Sequence, residues 1–179
     1  MRLNEVSDKK LGDFSGLASN YSKYRPDYSP TVLKTILALV DKPVDQIDFV
    51  DAGAGTGIWT RIVSEMGCKS VTAVEPNDDM REHGIEDCKD TNIKWVNGSG
   101  ENTGLDDETI DLVTMASSFH WVDFDKGISE FNRILKPGGC FAALWNPRLI
   151  EKSELLVEIE NKLKDLVPGM QRVSSGRSD

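Results

Sequence analysis

Three glycines at alternate positions, Gly53, Gly55 and Gly57, follow Asp51-Ala52 at the end of the apolar run Phe49-Val50, and the chain resumes with helical spacing at Ile58-Trp59-Thr60-Arg61-Ile62-Val63. This pattern reads as strand, tight loop and helix N-terminus. Side chains at the glycine positions would hold a ligand off the backbone, and such loops often need the positive φ that glycine adopts freely. Spacing selects the ligand class. A dinucleotide turn asks for G-x-G-x-x-G, but Ile58 stands at the third position after Gly55, which disfavours a nicotinamide-dependent oxidoreductase. About 20 residues past the glycines, where βαβ nucleotide sites place a carboxylate on ribose, the β-branched run Ser70-Val71-Thr72-Ala73-Val74 closes on Glu75-Pro76. Glu75 can accept hydrogen bonds from both ribose hydroxyls at once.

These groups need a parallel sheet to bring them together, and strand, helix, strand is the unit that forces one. Ser29-Pro30 opens a helix with Val32, Leu33, Ile36, Leu37 and Val40 on one face. Strand 1 is expected over 47–52, with the next helix running to about residue 66 and stopping at Gly67. Strand 2 leads to Asn77, which caps a short helix over 78–83 that carries Met80 and ends at Gly84. Strand 3 covers 93–97, followed by a polar loop containing Ser99, Gly100 and Glu101. Strand 4 delivers Ser117-Ser118-Phe119-His120-Trp121 to the carboxyl edge, where open α/β sheets place their ligands. A helix over 124–135 faces Ile128, Phe131, Ile134 and Leu135 inward, strand 5 follows over 140–145, and an amphipathic helix spans 152–167.

Composition narrows the function classes. With 179 residues, 39% of them hydrophobic, the chain suits one globular domain with a real core. A net charge of −9 argues against a nucleic-acid surface, which is built largely from Lys and Arg. No apolar segment approaches the roughly 18 residues of a membrane span, and the first residues lack a signal-peptide core, so the expectation is cytoplasmic, with no membrane partner. Cys68, Cys88 and Cys140 are scattered, which indicates neither disulfides nor a zinc site, and no metal is expected.

Taken together, Asp51-x-Gly53-x-Gly55-x-Gly57, Glu75 at the end of strand 2, the acidic turn Asp106-Asp107-Glu108 and the run Arg133-x-Leu135-Lys136-Pro137-Gly138-Gly139 resemble the class I S-adenosylmethionine (SAM) dependent methyltransferases. The amino-terminal Tyr21-x-x-Tyr24-Arg25-Pro26-x-Tyr28 resembles the segment that covers the cofactor in the trans-aconitate methyltransferase-like group. The resemblance implies a Rossmann-like, doubly wound α/β sheet of about five parallel strands in the order 3-2-1-4-5, with helices on both faces. It implies SAM as cofactor, S-adenosylhomocysteine as product, and a small molecule, such as a carboxylic acid, as methyl acceptor. Cofactor contacts are carried onto Tyr21, Arg25, Asp51, Ala52, Gly53, Gly55, Gly57, Glu75, Pro76, Met80, Ser99, Gly100, Glu101, Ser117 and Trp121. Aromatic faces suit a sulfonium cation and Arg25 suits a carboxylate. For an acceptor that must lose a proton, His120 is the candidate base, because imidazole titrates near neutrality. Arg25 or Arg148 would pair with an acidic substrate.

The sequence departs from the family in two places. The usual G-D-A-E loop here reads Gly98-Ser99-Gly100-Glu101, so a hydroxyl replaces a carboxylate opposite the adenine amino group. Nothing after the helix over 152–167 supplies the family's strands 6 and 7, which leaves strand 5 as an exposed edge. A fragment, a second copy or partner over that edge, and a last helix folded onto it are the three expectations. The domain is expected over 13–170, with a helical lid over 13–45, a flexible segment over 1–12 and a polar tail over 171–179. Two functional readings stay open: a small-molecule methyltransferase, and a SAM-binding or catalytically silent subunit that needs a partner.

Overall fold

The computed structural model describes residues 14–146 and 150–169. The expected flexible start, the polar tail and Arg148 lie outside the described residues. The chain divides into two compact units, the first ending at Leu144 and the second beginning at Trp145.

The first unit holds a five-stranded sheet in the order β3-β2-β1-β4-β5, every neighbouring pair parallel. Its strands are β1 (Asp48–Ala52), β2 (Ser70–Val74), β3 (Ile93–Val96), β4 (Ile110–Ala116) and β5 (Leu135–Leu144). Side chains alternate across a strand, so Phe49 and Leu112 face one side of the sheet and Val50 and Val113 the other. On the first side, α2 (Pro30–Leu37) and α3 (Ile58–Ser64) bury Leu33, Ile36, Leu37, Trp59 and Val63 against Phe49, Val71 and Leu112. On the second, α5 (Phe124–Ile134) buries Phe131 and Ile134 against Val50, Val113 and Met115. This is the doubly wound arrangement the pattern predicts. Two positions placed on inward faces are instead open: Val32 is 42% exposed and Ile128 37%.

Two element boundaries differ from the sequence reading, each for a packing reason. The helix α4 (Asp78–Asp87) passes straight through Gly84. That glycine lies under the Trp95 ring of β3, where a Cβ would come within 2.2 Å of the indole, so it serves close helix–strand contact and not termination. β5 begins at Leu135, paired with Ile110, and its register then jumps so that Cys140 meets Leu112. The Lys-Pro-Gly-Gly stretch is therefore a bulge within the strand, with Gly138 at φ 81°.

At the amino ends of the strands, Asp48 and Asp111 share three lysines. Lys42 donates to Asp111 Oδ1 (2.5 Å), Lys69 to Asp48 Oδ2 (2.9 Å), and Lys136 to both carboxylates at 2.8 and 2.9 Å. The amino-terminal helix α1 (Ala18–Tyr24) is tied to α4 by polar contacts: Ser22 donates to Asp87, and Gly16 N–H ahead of the helix donates to Asp79. The second unit contains a further helix, α6 (Glu154–Leu166). No helix among the described residues is long and apolar enough to cross a membrane. β5 pairs with β4 alone among the described strands, as expected of an edge.

Candidate functional site

The carboxyl ends of β1, β2 and β4 open onto one cavity of about 240 Å³. The glycine loop forms its floor. Gly53, Gly55 and Gly57 take φ of 69°, 58° and 76°, and the loop is stitched to β2 because Gly53 and Ala54 N–H both donate to Val74 O. A Cβ on Gly53 would lie 2.8 Å from Ser118, so the close approach excludes larger residues.

Glu75 closes the next side. It is 7% exposed; Oε2 accepts from Gly55 N–H at 2.7 Å and Oε1 from Asn77 N–H at 2.9 Å. Each oxygen keeps a lone pair for a further donor. Burial pushes its carboxyl upward, opposed by those two N–H groups and by Arg81. Asp51 is more extreme: fully enclosed, it accepts from Thr60 Oγ1 at 2.6 Å through Oδ2, while Oδ1 is buried with no partner. Burial raises its pKa to about 7, against the Thr60 bond and with help from the charge of Glu75.

The loop after β3 supplies Ser99, Gly100 and Glu101. Ser99 Oγ accepts from Glu101 N–H, and Glu101 Oε1 accepts from Asp123 N–H at 2.9 Å. Gly100 stands where the family has alanine because a Cβ there would lie 2.7 Å from Val122. The loop is anchored from below: Thr103 N–H and Oγ1 both donate to Glu130 Oε1, and Arg133 grips the same carboxylate. Arg133, with Thr103 assisting, holds Glu130 at a pKa of about 2. The Arg133 motif thus fixes the loop as well as turning the chain.

The amino-terminal segment covers the cavity with aromatic rings. Phe14 meets Tyr21 edge-on at 5.7 Å and Trp121 at 6.4 Å, and the Arg25 guanidinium sits 5.3 Å above the Tyr21 ring. Arg25 is the only lysine or arginine among the lining residues, against Asp51, Glu75 and Glu101. No carboxylate among the described residues comes within ion-pair distance of it.

Of the sequence-predicted set, Tyr21, Arg25, Asp51, Gly53, Gly55, Glu75, Pro76, Met80, Ser99, Gly100, Glu101, Ser117 and Trp121 line this one cavity. Three residues do not. Ala52 is fully buried within β1. Gly57 caps α3 and faces Trp95. His120 lies in a short 3-10 turn, exposed, with its ring 4.6 Å from that of Trp121; burial and then Arg25 lower its pKa. It is not among the residues that line the cavity. Sequence reasoning missed Trp59, Asn77, Met115 and Ser118 and named Tyr28 only as part of the covering segment, and all five line the wall. Trp59 was the one with a signal, an indole one turn beyond the glycines whose N–H needs a buried partner; Thr114 Oγ1 supplies it at 3.0 Å.

The site fits a cationic nucleoside with an amino-acid tail. Backbone too close for side chains floors the cavity, a buried carboxylate has lone pairs for hydroxyls, and an orphaned Asp51 oxygen awaits a donor such as an ammonium.

Comparison with known proteins agrees. Residues 50–143 match the family model described as a methyltransferase domain. An uncharacterised methyltransferase of Mycobacterium tuberculosis is 33% identical over 135 residues, 75% of this chain and 52% of its own; the chain spans about half the length of the curated relatives it matches. Among solved structures, an S-adenosyl-L-methionine-dependent methyltransferase from Methanococcus maripaludis aligns with a TM-score of 0.67 at 24% identity, covering 92% of this chain and 76% of that one. The geranyl diphosphate C-methyltransferase of Streptomyces coelicolor, solved with Mg2+, geranyl diphosphate and S-adenosyl-L-homocysteine, aligns at 0.56 and 18%, covering 75% and 53%.

Proposed function

Because this chain belongs to the methyltransferase domain family, we propose that it moves a methyl group from S-adenosylmethionine to a small anionic molecule, a carboxylic acid in the first instance. The bound cofactor supplies an electrophilic methyl on a sulfonium; transfer to a carboxylate oxygen forms a C–O bond, breaks the S–C bond and leaves the electron pair on sulfur. A carboxylate is ionised at neutral pH, so no residue need remove a proton, which agrees with His120 lying outside the cavity wall.

The chain's own residues bind, align and exclude water. Glu75 takes the ribose hydroxyls, Asp51 the ammonium, and the backbone of Gly53 and Gly55 the close approach of the ligand. Ser99, Gly100 and Glu101 face the adenine, with Pro76 and Met80 as apolar wall. Tyr21 and Trp121 offer ring faces to the cation, Ser117 closes the β4 end, and Arg25 is the positive group for an anion. The observation that carries the reading is Glu75, a buried carboxylate bound by the glycine loop itself at 2.7 Å.

Calorimetric titration with SAM and with S-adenosylhomocysteine tests it, followed by transfer of radiolabelled methyl to a panel of small carboxylic acids that includes trans-aconitate. Micromolar binding that Glu75→Ala abolishes is the expected result. A folded chain that binds neither ligand would sink the reading in favour of a partner-dependent subunit. That second reading draws on β5, which has a neighbour on one side only among the described strands.

A further inference from the structure

Ser117 and Glu108 are the only non-glycine residues with positive φ among the described residues. Left-handed backbone is disfavoured for any residue with a Cβ, and a polar residue kept there at a cavity is a pointer to function. Glu108 sits in an exposed turn. Ser117, at φ 58°, stands where β4 opens onto the cavity. Its N–H is held by Leu144 O at 2.7 Å, and its hydroxyl accepts a 2.9 Å bond from the phenol of Tyr28, 89 residues earlier.

Tyr28 is itself fixed. Its ring meets Trp59 edge-on at 5.3 Å, and the Trp59 indole donates to Thr114 Oγ1 on β4. Thr114, Trp59, Tyr28 and Ser117 thus form a chain of contacts that starts on β4 and ends at the residue just past it. Because Tyr28 gives its proton to Ser117, the Ser117 O–H is left to donate and the phenol oxygen to accept. The strand order puts this pair at the β4 end, away from the ribose and adenine positions at the ends of β2 and β3.

We propose that Tyr28 and Ser117 are the acceptor-orienting pair of the site, holding a small carboxylate whose charge Arg25 balances. The inference rests on the reading of this cavity as a methyl-transfer site. It explains why a strained serine stands at a position where glycine would be easier: the hydroxyl is needed. Ser117→Gly removes strain and hydroxyl together, so folding and ligand binding move in opposite directions.

The test titrates benzoate into the chain saturated with S-adenosylhomocysteine, reading the fluorescence of Trp59 and Trp121, both in the cavity wall. Expected is a saturable change in the wild type, weakened about tenfold by Tyr28→Phe and by Ser117→Gly, as for loss of a hydrogen bond to a charged group. Tyr28→Phe keeps its calorimetric affinity for S-adenosylhomocysteine within about twofold, and Ser117→Gly melts no lower than wild type. Equal benzoate binding in variants and wild type overturns the proposal, as does an equal loss of S-adenosylhomocysteine affinity in Tyr28→Phe. A wild-type chain that binds S-adenosylhomocysteine but gives no benzoate response also overturns it, while sparing the cofactor reading. If the chain does not bind S-adenosylhomocysteine, the cofactor reading fails instead, and the same benzoate comparison on the ligand-free chain decides the pair.

Discussion

Asp48 and Asp51 lie on the same strand, one at its amino end and one near its carboxyl end, and their environments drive them in opposite directions. At the amino end, burial works upward on Asp48 but is outweighed by Lys136, Lys69 and Ser70, which hold it at about 2. Asp111 beside it is likewise lowered: burial is outweighed by the Asp48 N–H and by Lys42 and Lys136. At the carboxyl end, burial outweighs the one hydroxyl partner of Asp51, the like charge of Glu75 adds to it, and the group rises to about 7. The amino end satisfies its carboxylates with the chain's own cations. The carboxyl end leaves them in want of an external one, the electrostatic signature of a binding site.

The sharpest way to break this comparison is to exchange the consequences of losing an acid at each end. Glu75→Ala is expected to weaken SAM binding by at least about a hundredfold, since ribose and glycine loop both lose their carboxylate; Asp48→Asn should leave that affinity unchanged by calorimetry. Conversely, Asp111→Ala should lower unfolding free energy in urea by about 3 kcal/mol, because Lys42 loses its carboxylate partner and Lys136 one of its two. The pH dependence separates the ends further. Asp48 and Asp111, with folded pKa below the unfolded value near 4, contribute stability above that pH and lose it as pH falls through their lowered values, about 2 in the case of Asp48. Asp51, raised, contributes below about 4 and loses its contribution as pH climbs through about 7. Melting temperature against pH should therefore fall on both sides, and Asp51→Asn should flatten the upper limb alone. Smallest of all, Lys69→Ala, with a side chain 58% exposed, should cost under about 0.5 kcal/mol.

What the sequence made legible was local in the chain. Gly53, Gly55 and Gly57 announce a loop with positive φ, and Glu75 stands at a fixed distance from them, so this half of the site could be read before any coordinates. The strand order followed from the family resemblance and from βαβ connectivity, and the sheet matches it. The other wall could not be read this way. Tyr28 reaches Ser117, and Trp59 reaches Thr114, across 89 and 55 residues, and no periodicity encodes such a meeting. His120, the expected base, falls in the 3-10 turn that follows β4 and is not among the lining residues, while its neighbour Trp121 is. Gly84 was read as a stop signal because glycine has two uses, backbone freedom and the absence of a side chain, and only the position of Trp95 tells them apart.

The contact between Gly84 and Trp95 sets a rule for how this chain can change. Mid-helix glycine to alanine ordinarily raises helix stability by about 1 kcal/mol, so drift toward alanine is downhill in most helices. Here the first added carbon meets an indole on the neighbouring strand, and Gly57 presses on the same ring from the loop side, its would-be Cβ 3.0 Å away. Gly84 can therefore grow only in a lineage where the tryptophan has already shrunk, while Gly57, at φ 76°, is strained by any side chain whatever the space around it. A cavity-making change at position 95 must come first, and because the ring abuts the glycine loop, each step on that path is visible to the ligand site.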